Sequence, residues 1–238
     1  MEKLKHKLPL YSVIEHLNID SATLLQLAKC IEELDPDFKS VLEINKGLCG
    51  IHHELASGVY DNFYQISLTD SVVENKDITL EECGLVHNEL HSSSKTQNIR
   101  RKQLTSVSSG VMDESTYTKK TEVYEKYNAL FDTVLSKFKG QTTRIRLVKL
   151  AAGSNVPPHI DYDPSYAVRF ILPVISDQEC INVFWAKNKI EVISLQSGKA
   201  YFLNTAYKHA VLNFGKNHRY TFMVSVKGIE DIEHLIEK

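Results

Sequence analysis

The amino-acid sequence predicts one α+β domain whose C-terminal part is an antiparallel barrel or sandwich. Three observations predict it. After Gly140, seven short β-type runs follow one another, at residues 144–150, 166–175, 181–185, 190–194, 200–203, 209–214 and 219–226. Turn-forming residues separate them, among them Gly153, Pro157-Pro158, Lys187-Asn188, Ser197-Gly198 and Gly215-Lys216-Asn217. Strands this short and this regularly spaced suit a closed or two-layered sheet, and helical spacing lies almost wholly upstream of them.

Taken in order, the first clear element is a helix over Ser21–Leu34. Asp20-Ser21 supplies a polar start, Leu24, Leu27, Ala28 and Ile31 recur at helical spacing, and Pro36 follows. Residues 40–90 alternate short apolar pieces with Gly47, Gly50, Gly58 and Gly84; the run Phe63-Tyr64-Gln65-Ile66-Ser67-Leu68 reads as a strand. Residues 91–109 are rich in Ser, Thr, Lys, Arg and Gln. A polar stretch of that length inside a domain is expected to be a surface loop, with a lid over the site as its functional reading. Residues 114–139 return to helical spacing through Val123, Tyr127, Leu130, Val134 and Phe138, and Gly140 stops them. Residues 229–236 read as a closing helix. With no repeat and no linker, the chain is expected to be a single domain: a mixed region at 1–143, the β core at 144–226 and a C-terminal helix at 227–238.

Composition narrows the function. A length of 238 residues with 42% hydrophobic content can bury a real core, and the net charge is −2. The densest basic patch is Arg100-Arg101-Lys102, so no nucleic-acid partner is indicated. Cys30, Cys49, Cys83 and Cys180 show no C-x-x-C spacing, which argues against a zinc ribbon or a dithiol centre. No segment has the length and apolarity of a signal core or a membrane span. A cytoplasmic setting is the resulting expectation.

The chemistry-bearing residues lie in the β series. An open metal site for O₂ chemistry needs two neutral imidazoles and one carboxylate on one side of the ion. His159-Ile160-Asp161 supplies two of them, because residues two apart in extended chain point to the same side. With ten histidines in the chain, this pair alone is weak, and His52/Glu54 and His87/Glu89 share its spacing. Neither rival precedes a comparable strand series. His87 and His91 sit in HNELH, which lacks the Glu immediately after the first His that a zincin uses. No phosphate loop and no G-x-S-x-G elbow is present. Downstream, His209 begins one strand and Arg219 the next, with Thr221 on the same side as Arg219. A guanidinium with a nearby hydroxyl can hold the far carboxylate of a dicarboxylic keto acid.

Residues 144–226 resemble the aspartyl/asparaginyl β-hydroxylase-like branch of the 2-oxoglutarate oxygenases. The resemblance rests on RIRLVKLAAGSNVPPHIDYD, AVRFILPV and SGKAYFLNTAYKHAVLNFGKNHRYTFMVSV. It implies a double-stranded β-helix, of jelly-roll or cupin-like type. It further implies iron(II) ligands at His159, Asp161 and His209, a 2-oxoglutarate contact at Arg219, and O₂ as co-substrate. The implied reaction is hydroxylation of an amino acid, peptide or protein side chain. Asn213 matches the Asn that follows the second His and is expected to be structural. The family pattern R-x-H is here Arg169-Phe170-Ile171, without the imidazole. Arg169 is expected to face an anion: a substrate carboxylate first, 2-oxoglutarate second, an acidic side chain otherwise. The competing reading is a cupin-type module that binds metal or a small ligand without turnover.

Overall fold

The structure, a computed structural model, describes residues 4–40, 62–72, 114–186 and 188–236. His52, His87, His91, Cys49, Cys83, the basic patch at 100–102 and the lid expected at 91–109 lie outside the described residues.

Among the described residues, two large sheets form the β core. The larger has seven strands in the order β1 (Tyr11–Val13), β11 (Tyr201–Leu203), β8 (Val168–Ile175), β13 (Arg219–Lys227), β6 (Gln141–Leu150), β3 (Phe63–Ser67) and β2 (Lys39–Ser40). The smaller has four, β10 (Lys189–Ser194), β9 (Cys180–Ala186), β12 (Lys208–Asn213) and β7 (Asn155–His159). A separate two-stranded antiparallel sheet pairs β4 (Thr69–Ser71) with β5 (Tyr117–Lys120). From β6 to β9 the chain alternates between large and small sheet, and from β10 to β13 it does so again, all pairings being antiparallel. That connectivity is a jelly roll of the double-stranded β-helix kind.

Alternation along each strand sorts the side chains. On β13, Phe222, Val224 and Val226 join the main core, as do Phe170, Leu172 and Val174 of β8 and Ile145 and Leu147 of β6. This outer face of the large sheet is covered by α1 (Ser21–Leu34) through Leu27 and Ile31, and by α3 (Asn128–Leu135) through Phe131 and Val134. The opposite residues, Arg219, Thr221, Met223 and Ser225 on β13, line the space between the sheets. There two smaller apolar groups, Leu150 with Val156 and Cys180, and Ile171 with Phe184, Tyr201 and Leu203, pack beside them.

The helix α1 begins and ends where its sequence signals put it, with Asp20 as N-cap accepting from Thr23 N at 2.7 Å. The helix expected over 114–139 is instead broken up. Residues 117–120 pair with β4, Thr121 caps α2 (Glu122–Lys126), and Tyr127 separates α2 from α3. Strand pairing overrides the apolar spacing in the first turns, and the fully buried face is Tyr124, Phe131 and Val134. Residues 229–236 hold one 3₁₀ turn, Glu233–Leu235, in place of a closing helix. Four strands were read as turn or left unread: β7, despite Pro157-Pro158, and β1, β2 and β4. β7 lies at a sheet edge, where a missing N–H costs no ladder bond.

Candidate metal centre

The antiparallel register of β7 and β12 sets His159 directly opposite His209, with ring centroids 4.2 Å apart. Asp161 follows β7 in a loop whose backbone is tied down, because Asp161 N donates to Thr205 O at 2.8 Å. The three side chains offer ligand atoms all within 4.8 Å of one another. His159 Nε2 is 3.7 Å from Asp161 Oδ1, and His209 Nε2 is 3.9 Å from Asp161 Oδ2.

The imidazoles are oriented from behind. His159 Nδ1 donates to Pro157 O at 2.8 Å and His209 Nδ1 to Tyr207 O at 3.0 Å. A carbonyl only accepts, so each Nδ1 donates and each Nε2 is turned toward Asp161. His209 also stacks on Phe184, 6.0 Å between centroids. Burial, only partly offset by Asp161, lowers the His209 pKa to about 4. Its imidazole is neutral at physiological pH. Burial would raise the Asp161 carboxyl, but His159, Arg169, His209 and Arg146 together hold it well below the usual carboxylate range. Two imidazole nitrogens and one carboxylate oxygen suit a divalent transition metal with positions left open.

Arg219 and Thr221 sit on the inner face of β13, 5% and 4% exposed. Arg219 Nη1 reaches across the barrel to Cys180 Sγ at 3.7 Å and Asn182 Oδ1 at 3.5 Å, both on β9. Its buried Nε has no hydrogen-bond partner, nor has Asn182 Nδ2, among the described residues. Two donors, one of them on the buried cation, thus lack an acceptor among the described residues, a pattern that suits a carboxylate. Cys180 and Asn182 were not picked out from the sequence, where only the alternation of β9 could have suggested an inward side chain.

Arg169 also faces inward, 7% exposed, but its Nη2 is paired with Glu114 Oε1 at 2.8 Å. Of the anions expected for it, the structure holds the acidic side chain. Glu114, 1% exposed, further accepts from Arg144 and from the Ser225 hydroxyl. Burial opposes its charge, yet Arg169, Arg144 and Arg146 bring its pKa down to about 2. Arg144 reaches this carboxylate from a bulge opposite Met223 and Ser225, with φ 42°, and a bulge re-aims a side chain in this way. Asn213 is structural: its Nδ2 donates to Leu150 O, Ala151 O and Asn217 O, and its Oδ1 accepts from Gly215 N.

A family model for aspartyl/asparaginyl beta-hydroxylase matches residues 81–228, more than half of the chain. The chain belongs to this family. No curated protein sequence matches it. Among solved structures, a prolyl-4-hydroxylase from Pseudomonas putida is 10% identical, covering 91% of this chain and 91% of its own, with a TM-score of 0.47. A 2OG-Fe(II) oxygenase family oxidoreductase from Burkholderia pseudomallei is 10% identical over 88% of this chain and 80% of its own, with a TM-score of 0.45. A cupin domain from Bordetella pertussis covers 38% of this chain and 88% of its own at 11% identity and a TM-score of 0.29. No described helix of this family member is long and apolar enough to cross a membrane.

Proposed function

We propose that this chain is an Fe(II)- and 2-oxoglutarate-dependent dioxygenase that hydroxylates an amino acid or a peptidyl side chain. The observation that carries the proposal is the pairing of two features in one barrel. One is the two-His, one-Asp cluster with both Nε2 atoms turned toward the carboxylate. The other is Arg219, whose buried Nε, with Asn182 Nδ2 beside it, lacks an acceptor among the described residues and suits a carboxylate.

In this reading His159, Asp161 and His209 hold the iron and leave open positions beside it. Bound iron with 2-oxoglutarate and O₂ supplies the oxidation: the keto acid becomes succinate and CO₂, and one oxygen atom enters a substrate C–H bond. Arg219, with Thr221 and Asn182 at its side, takes the far carboxylate of the keto acid and fixes its direction. Leu150 and Val156, packed with Cys180, give that end of the barrel an apolar lining. A cupin-type module that bound metal without turnover would leave the buried Arg219 without a purpose.

Anaerobic addition of Fe(II) and then 2-oxoglutarate tests metal and cosubstrate together. A weak visible metal-to-ligand band that needs both, and succinate release on admitting O₂, is the expected outcome. Metal binding with no response to 2-oxoglutarate in either measurement would return the chain to the non-catalytic reading.

A further inference from the structure

Three guanidiniums, from Arg144, Arg146 and Arg169, gather around one carboxylate, Glu114. Both oxygens of that carboxylate are occupied: one takes Arg144 and Arg169, the other the Ser225 hydroxyl. Arg146 is left over. It lies on β6 opposite Met223, half-buried, and forms no ion pair among the described residues. Its Nη1 donates to the neutral Gln65 Oε1 at 3.4 Å and its Nη2 to the Met223 thioether at 3.1 Å. Its Nε is buried and has no partner among the described residues.

An amide oxygen and a sulfur neutralise nothing, and two like charges stand close by. Burial together with Arg144 and Arg169 drives the Arg146 pKa well down. A guanidinium does not escape such a setting by losing its proton, so the position calls for an anion. Asp161 lies near enough to feel Arg146, but its oxygens face the two imidazoles. The cosubstrate's far carboxylate is met elsewhere: Met223 is four residues along β13 from Arg219, roughly 13 Å at strand rise.

Resting on the oxygenase reading, we propose that Arg146 recognises the prime substrate by taking one carboxylate of it beside the metal centre, selecting an acid over the corresponding uncharged amide. Glu114 makes that selection sharp, because it binds Arg144 and Arg169 and leaves one guanidinium for the ligand. The pocket keeps an excess of positive charge, which repels cationic side chains and gives an amide no compensation for its lost water.

The test uses the full chain loaded with Mn(II) and N-oxalylglycine, an inert stand-in for 2-oxoglutarate, so that metal and Arg219 are already occupied. Thermal melting is followed against N-acetyl-aspartate α-amide, N-acetylalanine, whose only carboxylate is the backbone one, and N-acetyl-asparagine amide. The wild type is expected to be stabilised by at least one of the two acids at a concentration at least tenfold below that needed for the asparagine amide. Arg146→Met is expected to lose that preference, while its affinity for Mn(II) and N-oxalylglycine stays within about twofold and its melting temperature without probe equals or exceeds the wild type's. That last readout separates recognition from architecture, since removing an uncompensated charge relieves the fold whereas removing a structural ion pair weakens it. Arg146→Lys, which keeps the charge, is expected to retain part of the preference. The inference is overturned if neither acid outcompetes the amide in the wild type. It is also overturned if the preference survives in Arg146→Met, or if that variant loses N-oxalylglycine binding instead. A wild type that binds neither Mn(II) nor N-oxalylglycine would sink the oxygenase reading itself, which is a separate result.

Discussion

His209 and His159 face each other across the β12–β7 ladder with their ring centroids 4.2 Å apart, each held by its own Nδ1–H to a carbonyl two residues earlier in the chain. Neither ring is core packing; both are aimed. His159→Ala and His209→Ala are therefore expected to lose about 100-fold or more in Mn(II) affinity while keeping a native circular dichroism spectrum. Normal metal stoichiometry in both variants would remove these residues from the site.

Arg219 stands in the barrel without an acidic partner among the described residues, bonded only to Cys180 and Asn182. Arg219→Met is expected to weaken 2-oxoglutarate by about 2–5 kcal/mol and to leave Mn(II) affinity nearly unchanged. Calorimetry showing equal cosubstrate affinity in wild type and variant would refute the anchor role.

Glu114 links pH to stability. Its pKa falls from 4.5 to about 2 on folding, so its contribution is fully present above the unfolded value and is lost as pH drops through 4.5 towards 2. The shift corresponds to roughly 3 kcal/mol, in a group that is 1% exposed. Glu114→Gln should destabilise the protein by about 3–5 kcal/mol at neutral pH, because Arg144 and Arg169 lose their counter-charge. It should also flatten the acid limb between pH 5 and 2. Denaturant titrations across that range, with parallel acid limbs for the two proteins, would show that Glu114 does not carry the effect.

The fold and the His159–Asp161–His209 cluster were legible for the same reason: both depend on local periodicity. The alternation of 144–226 marks strands, and His-x-Asp with a later His on a strand marks side chains that can meet. The arginine cluster was not legible, although Arg144 and Arg146 stand two apart in the RIR of β6. Their significance needs Glu114, thirty residues earlier in the chain, and a bulge that turns Arg144 towards it. Arg169 was singled out as an inward guanidinium needing an anion, and which anion it finds is a tertiary fact. The helix expected over 114–139 failed at its start, because the pairing of residues 117–120 with β4 is likewise a long-range contact.

Asn204 connects the N-terminal segment to the His–Asp–His cluster. It is fully buried, its backbone N donates to Leu10 O, and its Nδ2 donates to Lys5 O at 3.0 Å, Pro9 O at 3.2 Å and Leu8 O at 3.5 Å. The next residue, Thr205, supplies the carbonyl that receives Asp161 N. Loosening Asn204 should thus be felt at the carboxylate ligand without touching any ligand directly. Asn204→Ala leaves the carbonyls of Lys5 and Pro9 without their donor and is expected to cost about 1–3 kcal/mol of stability. Asn204→Asp is expected to be worse, because it turns a carboxylate towards the same carbonyl oxygens and no donor faces it. In both variants Mn(II) affinity should fall by roughly tenfold, the scale of a group that orients a metal ligand from behind. Amide exchange at Leu10 and Asp161 should rise together. Exchange that rises at Leu10 alone, with Mn(II) affinity unchanged, would show that the N-terminal segment is fastened to the sheet without bracing the site.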